Sequence, residues 1–457
     1  MKAELLAVGT ELLLGEVVNS NAAWLSQQLA VLGISVYGHV TVGDNPGRIR
    51  RALVQALSRL EEDAAPEEAK LLLFTGGLGP TPDDLTIETL AHIFEDIPMV
   101  PDPTSEASIR AHYQRRGLAM PASNLKQALR PPSALTLPNP LGTAPGILWD
   151  VGGRGSAQHL GGPVWLATFP GVPSEMKAMW PAVAQHLQQL LAAEPTPSVR
   201  LVSRVMHFFG LGESALAERV RDLFDLENPT VAPYVGKGQV RLRLVCRAAS
   251  VAEAIERLAP LSDTIMARAG EHWIGTTDTH EDAAATRLLP QRVGERLRAL
   301  GWRLAVAESC TGGLVSARLT DVPGSSDYIH ANFVTYGNAA KSCWLGVDEE
   351  EIARHGAVSS AVALAMAEGA RRVTGAQVGL SLTGIAGPGG GTEEKPVGLL
   401  FVGLSVSPDE GSGSTLAKTQ VFEVRLPAAL GREEMKFLFS QHALFYVLKA
   451  LSSVAIP

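Results

Sequence analysis

The residues best suited to chemistry lie in Ala307-Glu308-Ser309-Cys310-Thr311-Gly312-Gly313. A hydroxyl and a thiol stand side by side before two glycines, between the apolar run Trp302 to Ala307 and a helix opening at Leu314. A strand that turns sharply into a helix leaves backbone N–H groups unpaired at a sheet edge, and the helix dipole there favours an anion. Glycines let a ligand approach such a turn closely. Ser309 is therefore a candidate nucleophile, with Thr311, Gly312 and Gly313 as candidate substrate contacts; the competing reading is a helix cap with a tight turn. A serine hydroxyl needs a base. No histidine accompanies these motifs. Lys341, in Phe333-Val334-Thr335-Tyr336-Gly337-Asn338-Ala339-Ala340-Lys341, can take that role if burial or neighbouring cations lower its pKa. Tyr336 would relay the proton or orient the amine. The loop Thr383 to Gly391 (TGIAGPGGG) has the composition of a nest of backbone N–H groups, which makes Thr383, Gly384, Ala386 and Gly387 candidates for holding a phosphate or oxyanion. Cys310 is an alternative nucleophile read as packing, and Cys343 has no marked partner.

A second set lies near the amino terminus. The run Gly76-Gly77-Leu78-Gly79-Pro80-Thr81-Pro82-Asp83-Asp84 offers Gly76, Gly77 and Gly79 to wrap a phosphate, with Asp83 and Asp84 to hold a hard cation. The alternative is a turn whose aspartates cap a helix. Pro138 to Gly146 (PNPLGTAPG) is stiff, without helix or strand character. Phe169 to Met176 (FPGVPSEM) follows a strand and enters a helix, with Ser174 as its expected N-cap.

Elements to position these loops can be read from periodicity. Strands are expected at Glu4 to Val8, Ser35 to Val42, Leu71 to Thr75 and Val164 to Thr168, and helices at Ser20 to Leu32, Pro46 to Glu61 and Thr86 to Phe94. Such alternation predicts a doubly wound α/β sheet with ligands beyond the carboxyl ends of its strands. Gly152 to Gly162 reads as a hairpin or loop insertion without chemistry. Pro195-Thr196-Pro197 is a stiff linker. The next segment reads strand, helix, strand, strand, helix, closed by Trp273-Ile274-Gly275. Its strand Gln239 to Arg247 alternates so that Arg241 and Arg243 share a face. The last segment opens with a helix from Ala283 to Leu300, with further strands at Val378 to Leu382 and Val397 to Ser405.

A chain of 457 residues exceeds one ordinary core. Its 46% hydrophobic and 19% charged content is that of a globular protein. The net charge of −8 gives no general reason to bind nucleic acid. Three cysteines without a CxxC pair suggest neither a disulfide framework nor a zinc cluster, and no HExxH occurs. Acidic residues interrupt the apolar N-terminus, and no run is long enough to span a membrane, so a cytoplasmic location is expected.

The ordered motifs together resemble the CinA family. Gly9-Thr10-Glu11-Leu12-Leu13-Leu14-Gly15, Asn19-Ser20-Asn21, Thr75 to Thr86, Asn139 to Gly146 and Phe169 to Met176 resemble its N-terminal MoaB/MogA-like domain. Gly210-Leu211-Gly212-Glu213-Ser214 resembles its KH-like middle domain. AESCTGG, FVTYGNAAK, HGAVS, TGIAGPGGG and EEKPVG resemble its C-terminal domain, which also occurs alone as a nicotinamide mononucleotide deamidase. The resemblance implies three domains: 1–194 MoaB/MogA-like and doubly wound, 198–275 α+β and KH-like, and 280–457 an α/β amidohydrolase. It implies release of ammonia from nicotinamide mononucleotide by Ser309, Tyr336 and Lys341 without a cofactor, with Arg432 a further candidate for the phosphate. For the first domain it implies metal-dependent hydrolysis of ADP-ribose to AMP and ribose 5-phosphate. Asp83, Asp84, Glu11 and Glu175 are then the oxygen ligands for a divalent ion, and Asn139, Gly142 and Thr143 join the substrate contacts. A pterin or nucleotide module without turnover and a competence-related interaction protein are the rivals. The family also implies a homodimer. The helix-GxxG-helix clamp of RNA-binding KH modules is missing, so direct nucleic-acid binding is not expected. Many relatives read YSNEAK where this chain has Gly337 and Ala339, which removes two polar side chains beside Lys341.

Overall fold

The computed structural model describes residues 1–63, 67–193, 200–236, 238–278, 282–407 and 418–455; the Pro195-Thr196-Pro197 linker lies outside them. Contact density divides the chain into two compact units, Met1–Ser203 with Val245–Ala259 and Arg204–Leu244 with Pro260–Pro457.

The first unit is built on β1 (Lys2–Val8), α1 (Thr10–Leu13), α2 (Ser20–Val31), β2 (Ser35–Val42), α3 (Pro46–Asp63), β3 (Lys70–Thr75) and α4 (Thr86–Phe94). There follow β4 (Val100–Pro101), α5 (Pro103–Arg115), β5 (Leu129–Arg130), β6 (Leu135–Leu137), β7 (Gly146–Asp150), β8 (Val164–Phe169) and α6 (Pro173–Ala193). The main sheet has the order β2-β1-β3-β8-β7-β6. Its first four strands are parallel and the last two antiparallel. β3 is buried along its whole length, as an apolar strand covered on both faces must be. Leu71 and Leu73 pack with Leu25 and Trp180 on one face, and Leu72 and Phe74 with Leu53 and Leu90 on the other. The expected doubly wound architecture is present, and residues 151–163 join the antiparallel β7 and β8. α6 starts at Pro173, so Ser174 lies in its first turn and not ahead of it.

The middle segment contains β9 (Arg200–Phe208), α7 (Glu213–Arg219), β10 (Thr230–Gly236), β11 (Gln239–Ala248), α8 (Val251–Ala269) and β12 (Trp273–Thr277), in the sheet order β10-β11-β9-β12. The residues read as a closing stretch are thus a fourth strand, antiparallel to β9. Arg241 is buried, with its guanidinium 5.6 Å from the Tyr234 ring centroid, while Arg243 is exposed. Alternation places both on one side of the strand but does not report that a ring covers the first.

The C-terminal segment runs α9 (Asp282–Leu300), β13 (Leu304–Glu308), α10 (Leu314–Thr320), β14 (Ile329–Val334), α11 (Asn338–Leu345), α12 (Glu349–His355) and α13 (Ser360–Thr374). It ends with β15 (Val378–Gly384), β16 (Leu399–Val406), β17 (Lys418–Arg425) and α14 (Arg432–Ser452). The sheet order is β14-β13-β15-β16-β17. The first three strands are parallel, and β16 and β17 continue antiparallel. Val306 and Leu382 face a core shared with Leu289, Val315 and Phe439, and Ala305 and Ala307 face one shared with Leu345 and Met366. The chain leaves β13 to one side for β14 and returns on the other side as β15. Such a reversal of strand order opens a crevice at the carboxyl ends. No described helix is long and apolar enough to cross a membrane.

Candidate active site

Strand register assembles the C-terminal site. Glu308, the last residue of β13, pairs with Val334 and Leu382, so the residues that follow in all three strands emerge at one level. The Ser309 amide donates to the Leu382 carbonyl (3.0 Å), and the Thr335 amide to the Glu308 carbonyl (2.8 Å). Lys341 comes from the first turn of α11 and is 1% exposed. Its Nζ lies 3.3 Å from Ser309 Oγ, 2.9 Å from the Thr335 carbonyl and 3.3 Å from the Tyr336 carbonyl. Burial pushes this amine below the ordinary lysine value, against a smaller opposing contribution from Cys310. In the neutral amine two N–H bonds can serve the two carbonyls, leaving the lone pair for the seryl proton. Ser309 is half-buried, whereas Cys310 is buried and its thiol is pushed up to about 12, chiefly by desolvation. A thiol so held is inert as a nucleophile.

The turn after Ser309 is held from inside. The Glu308 carboxylate is fully buried and accepts from Thr311 Oγ1 (2.7 Å), the amides of Gly313 (3.1 Å), Val315 (3.1 Å) and Ser316 (2.8 Å), and Ser316 Oγ (2.6 Å). It thereby takes the amino end of α10, where a ligand anion was expected. Thr311 and Gly313 therefore meet Glu308 with the groups meant for substrate, and the Gly312 amide donates to the Ser309 carbonyl (3.1 Å). Sequence reading passed over Glu308; an acid at the last strand position before a glycine turn was the available signal.

On the far side of the crevice, Thr383 Oγ1 donates to the Ala357 carbonyl (2.7 Å) in the HGAVS loop. Gly387 has φ +71°, and its carbonyl accepts from Arg432 Nη1. Arg432 Nη2 also donates to the Tyr336 phenol oxygen at 3.3 Å. Tyr336 is 61% exposed, and this contact turns its hydroxyl toward the rim. Lys341 reaches Ser309 directly and meets Tyr336 through the carbonyl, so a phenol relay is not needed.

The N-terminal candidates occupy a different setting. The backbone crowds Gly76: a Cβ there would stand 2.0 Å from the Val8 carbonyl oxygen, and the residue holds φ +92°. A Cβ on Gly77 would meet Thr86 Oγ1 at 2.2 Å and one on Gly79 would meet Asp84 Oδ2 at 2.3 Å. Close approach of the Val8 carbonyl thus requires Gly76, and Gly77 holds φ +67°, whereas at Gly79 only the Asp84 side chain would have to move. Asp84 accepts from the Thr81 amide (3.0 Å) and hydroxyl, and the Lys126 ammonium sits on the Asp84 carbonyl (2.6 Å) beside Glu88 (3.3 Å). Asp83 is exposed. Glu175 accepts from Asn139 Nδ2 (2.7 Å) and lies against Gly142, while Glu11 lies over Gly9. Among the described residues no three His, Cys, Asp or Glu converge on a point fit for a metal. The four carboxylates are thus not gathered into a ready cage, and two of them already have donors, Thr81 on Asp84 and Asn139 on Glu175. Asn139 braces its own loop, accepting from Leu141 and Gly142 amides at 3.0 and 2.9 Å. With Gly142 and Thr143 it lines a cavity of about 360 Å³ that also involves Asp102, Arg130 and Thr136. Arg130 and Asp102 were not read as site residues; in the structure Asp102 caps α5 by accepting from the Ser105 amide.

The sequence matches three families: "Probable molybdopterin binding domain" over residues 4–189, "Damage-inducible protein CinA KH domain" over 203–275 and "CinA C-terminal domain" over 286–451. A solved competence/damage inducible protein from Agrobacterium tumefaciens is 38% identical, covering 37% of this chain and 96% of its own, with a TM-score of 0.34. The CinA-like protein of Cyanothece is 45% identical over 98% of both chains. That of Synechocystis is 47% identical over 99% of this chain and 100% of its own. With a MoaB/MogA-like, a KH-like and a CinA C-terminal domain in that order, and such identity along its length, the chain belongs to the CinA family.

Proposed function

We propose that the C-terminal domain hydrolyses the carboxamide of nicotinamide mononucleotide to nicotinate mononucleotide and ammonia. Ser309 Oγ attacks the amide carbon as neutral Lys341 takes its proton. The C–N bond then breaks, Lys341 returns that proton to the departing nitrogen, and water releases the acyl group from serine with the same amine as base. Backbone N–H groups of Ala386 and Gly387 are the candidates for the developing oxyanion, the Ile385 amide being engaged by the Leu399 carbonyl. The observation that carries this reading is a buried lysine amine 3.3 Å from a seryl oxygen at a strand-order reversal. Ammonia release from nicotinamide mononucleotide tests it, with mass spectrometry of the Ser309 peptide to detect the acyl adduct. Ser309→Ala should lower turnover by at least about 10³-fold; full activity in that variant rejects the assignment.

For the N-terminal domain we propose a nucleotide diphosphate ligand such as ADP-ribose, supported by the cavity of about 360 Å³ with Arg130 in its wall. Binding rests on that cavity alone. Cleavage to AMP calls for a divalent ion that the four carboxylates are not gathered to hold, so AMP release with added metal separates an enzyme from a binding module.

A further inference from the structure

Two motifs, HGAVS (His355 to Ser359) and EEKPVG (Glu393 to Gly398), hold neither nucleophile nor base, yet both border the crevice. Along β13, Ala305 and Ala307 share a core with Leu345 and Met366, and Ser309 keeps that alternation, opening on the side where Lys341 meets it. β15 behaves alike. Ser381 Oγ donates to the Ala363 carbonyl of α13 (2.5 Å), and Thr383, two residues on, to the Ala357 carbonyl (2.7 Å). HGAVS is therefore a wall on the nucleophile's side of the sheet.

The glycine-rich loop between Thr383 and Gly398 has little shape of its own, with Gly387, Gly390 and Gly398 all at positive φ. Its base is closed by the Ile385 amide on the Leu399 carbonyl and the Gly398 amide on the Ile385 carbonyl, both at 2.8 Å. Farther out, Thr392 and Lys395 close a turn on each other: the Thr392 amide donates to the Lys395 carbonyl (2.9 Å), and the Lys395 amide to Thr392 Oγ1 (3.0 Å). From that turn Lys395 Nζ donates to the His355 carbonyl at 2.6 Å. His355 is the last residue of α12, so the ammonium meets the negative end of a helix. The next residue, Gly356, has φ +73°, and a Cβ there would stand 2.9 Å from Nζ. Glu393 and Glu394 are exposed and, among the described residues, form no ion pair with Lys395. Lys395 and Thr383, from the two ends of one loop, thus grip alternate carbonyls of HGAVS.

We propose that Lys395 is a positioning residue: its bond to the end of α12 ties the glycine-rich loop to HGAVS and holds the Ala386 and Gly387 amides where a developing oxyanion needs them. The catalytic consequence rests on the amidase reading; the tie itself rests on the Lys395 and Thr383 contacts.

The test compares full-length wild type with Lys395→Met, which keeps an unbranched stem and removes the charge, and with Lys395→Arg, which restores a donor. For ammonia release from nicotinamide mononucleotide, kcat should fall about 10- to 100-fold in Lys395→Met while KM moves less than about threefold. Lys395→Arg should recover most of the loss, and the thermal midpoint should stay within about 2 °C in both variants. An unchanged kcat, or a loss that follows a lowered thermal midpoint, overturns the proposal. If the wild type releases no ammonia, the amidase reading has failed, and hydrogen exchange decides the tie. Faster exchange of both the 355–359 and the 384–395 segments in Lys395→Met sustains it; equal exchange in wild type and variant overturns it.

Discussion

The amino-terminal loop at Gly76 and the carboxyl-terminal turn at Ser309 use the same device, a glycine-rich bend at the carboxyl end of a buried parallel strand. Their outcomes differ. At Gly76 to Asp84 the polar groups are matched by neighbours: Thr81 on Asp84, Lys126 on two carbonyls, Asn139 on Glu175. At Ser309 the internal acid Glu308 meets the helix end, and Lys341 is left aimed at a half-buried hydroxyl. Residue type proposes chemistry at both bends; what separates them is which groups remain unmatched after folding.

The sharpest way to break this contrast is to remove the base. Lys341→Met should cost about 10²- to 10⁴-fold in kcat, read as ammonia release. In the wild type, burial lowers the amine's pKa, and the working form is neutral. Activity should therefore climb about tenfold per pH unit on the acid side and level off below the ordinary lysine value of 10.5. A profile flat from acid to neutral pH would count against Lys341 as base. Next comes the internal acid. Glu308→Ala strands the donors of Thr311, Gly313, Val315 and Ser316 and should destabilise the C-terminal domain by about 3–5 kcal/mol in denaturant melts. Tyr336→Phe should change kcat less than about tenfold, since its hydroxyl meets Arg432; a loss as large as that of Lys341→Met would restore the relay. The smallest effect is expected at the amino-terminal loop. Without a ready cage, magnesium should move the thermal midpoint less than about 1 °C, and Asp84→Asn should not alter that response.

Much of this was legible in the sequence because local rules governed it. The apolar run LLLFT announced a strand covered on both faces, and the step from an apolar strand through SCTGG to a helix announced the turn that carries Ser309. Lys341 could be named as base from the lack of histidine nearby. Other features depend on partners distant in the chain. β14 alternates in burial as a half-buried strand does, but its place beside β13 is set by pairing distant in the chain. α14 buries residues around much of its circumference, so its apolar positions trace no stripe that would flag it as a surface helix. Nor does a list of acids reveal that Thr81 donates to the Asp84 carboxylate and Asn139 to that of Glu175.

The carboxylate beneath the seryl turn has a consequence for working conditions. The amides of Gly313, Val315 and Ser316 are engaged by part of their own chain, so the bend holds its shape without an external anion on them. Entropy lost in shaping the surroundings of Ser309 is then met while the polypeptide folds, before any ligand arrives.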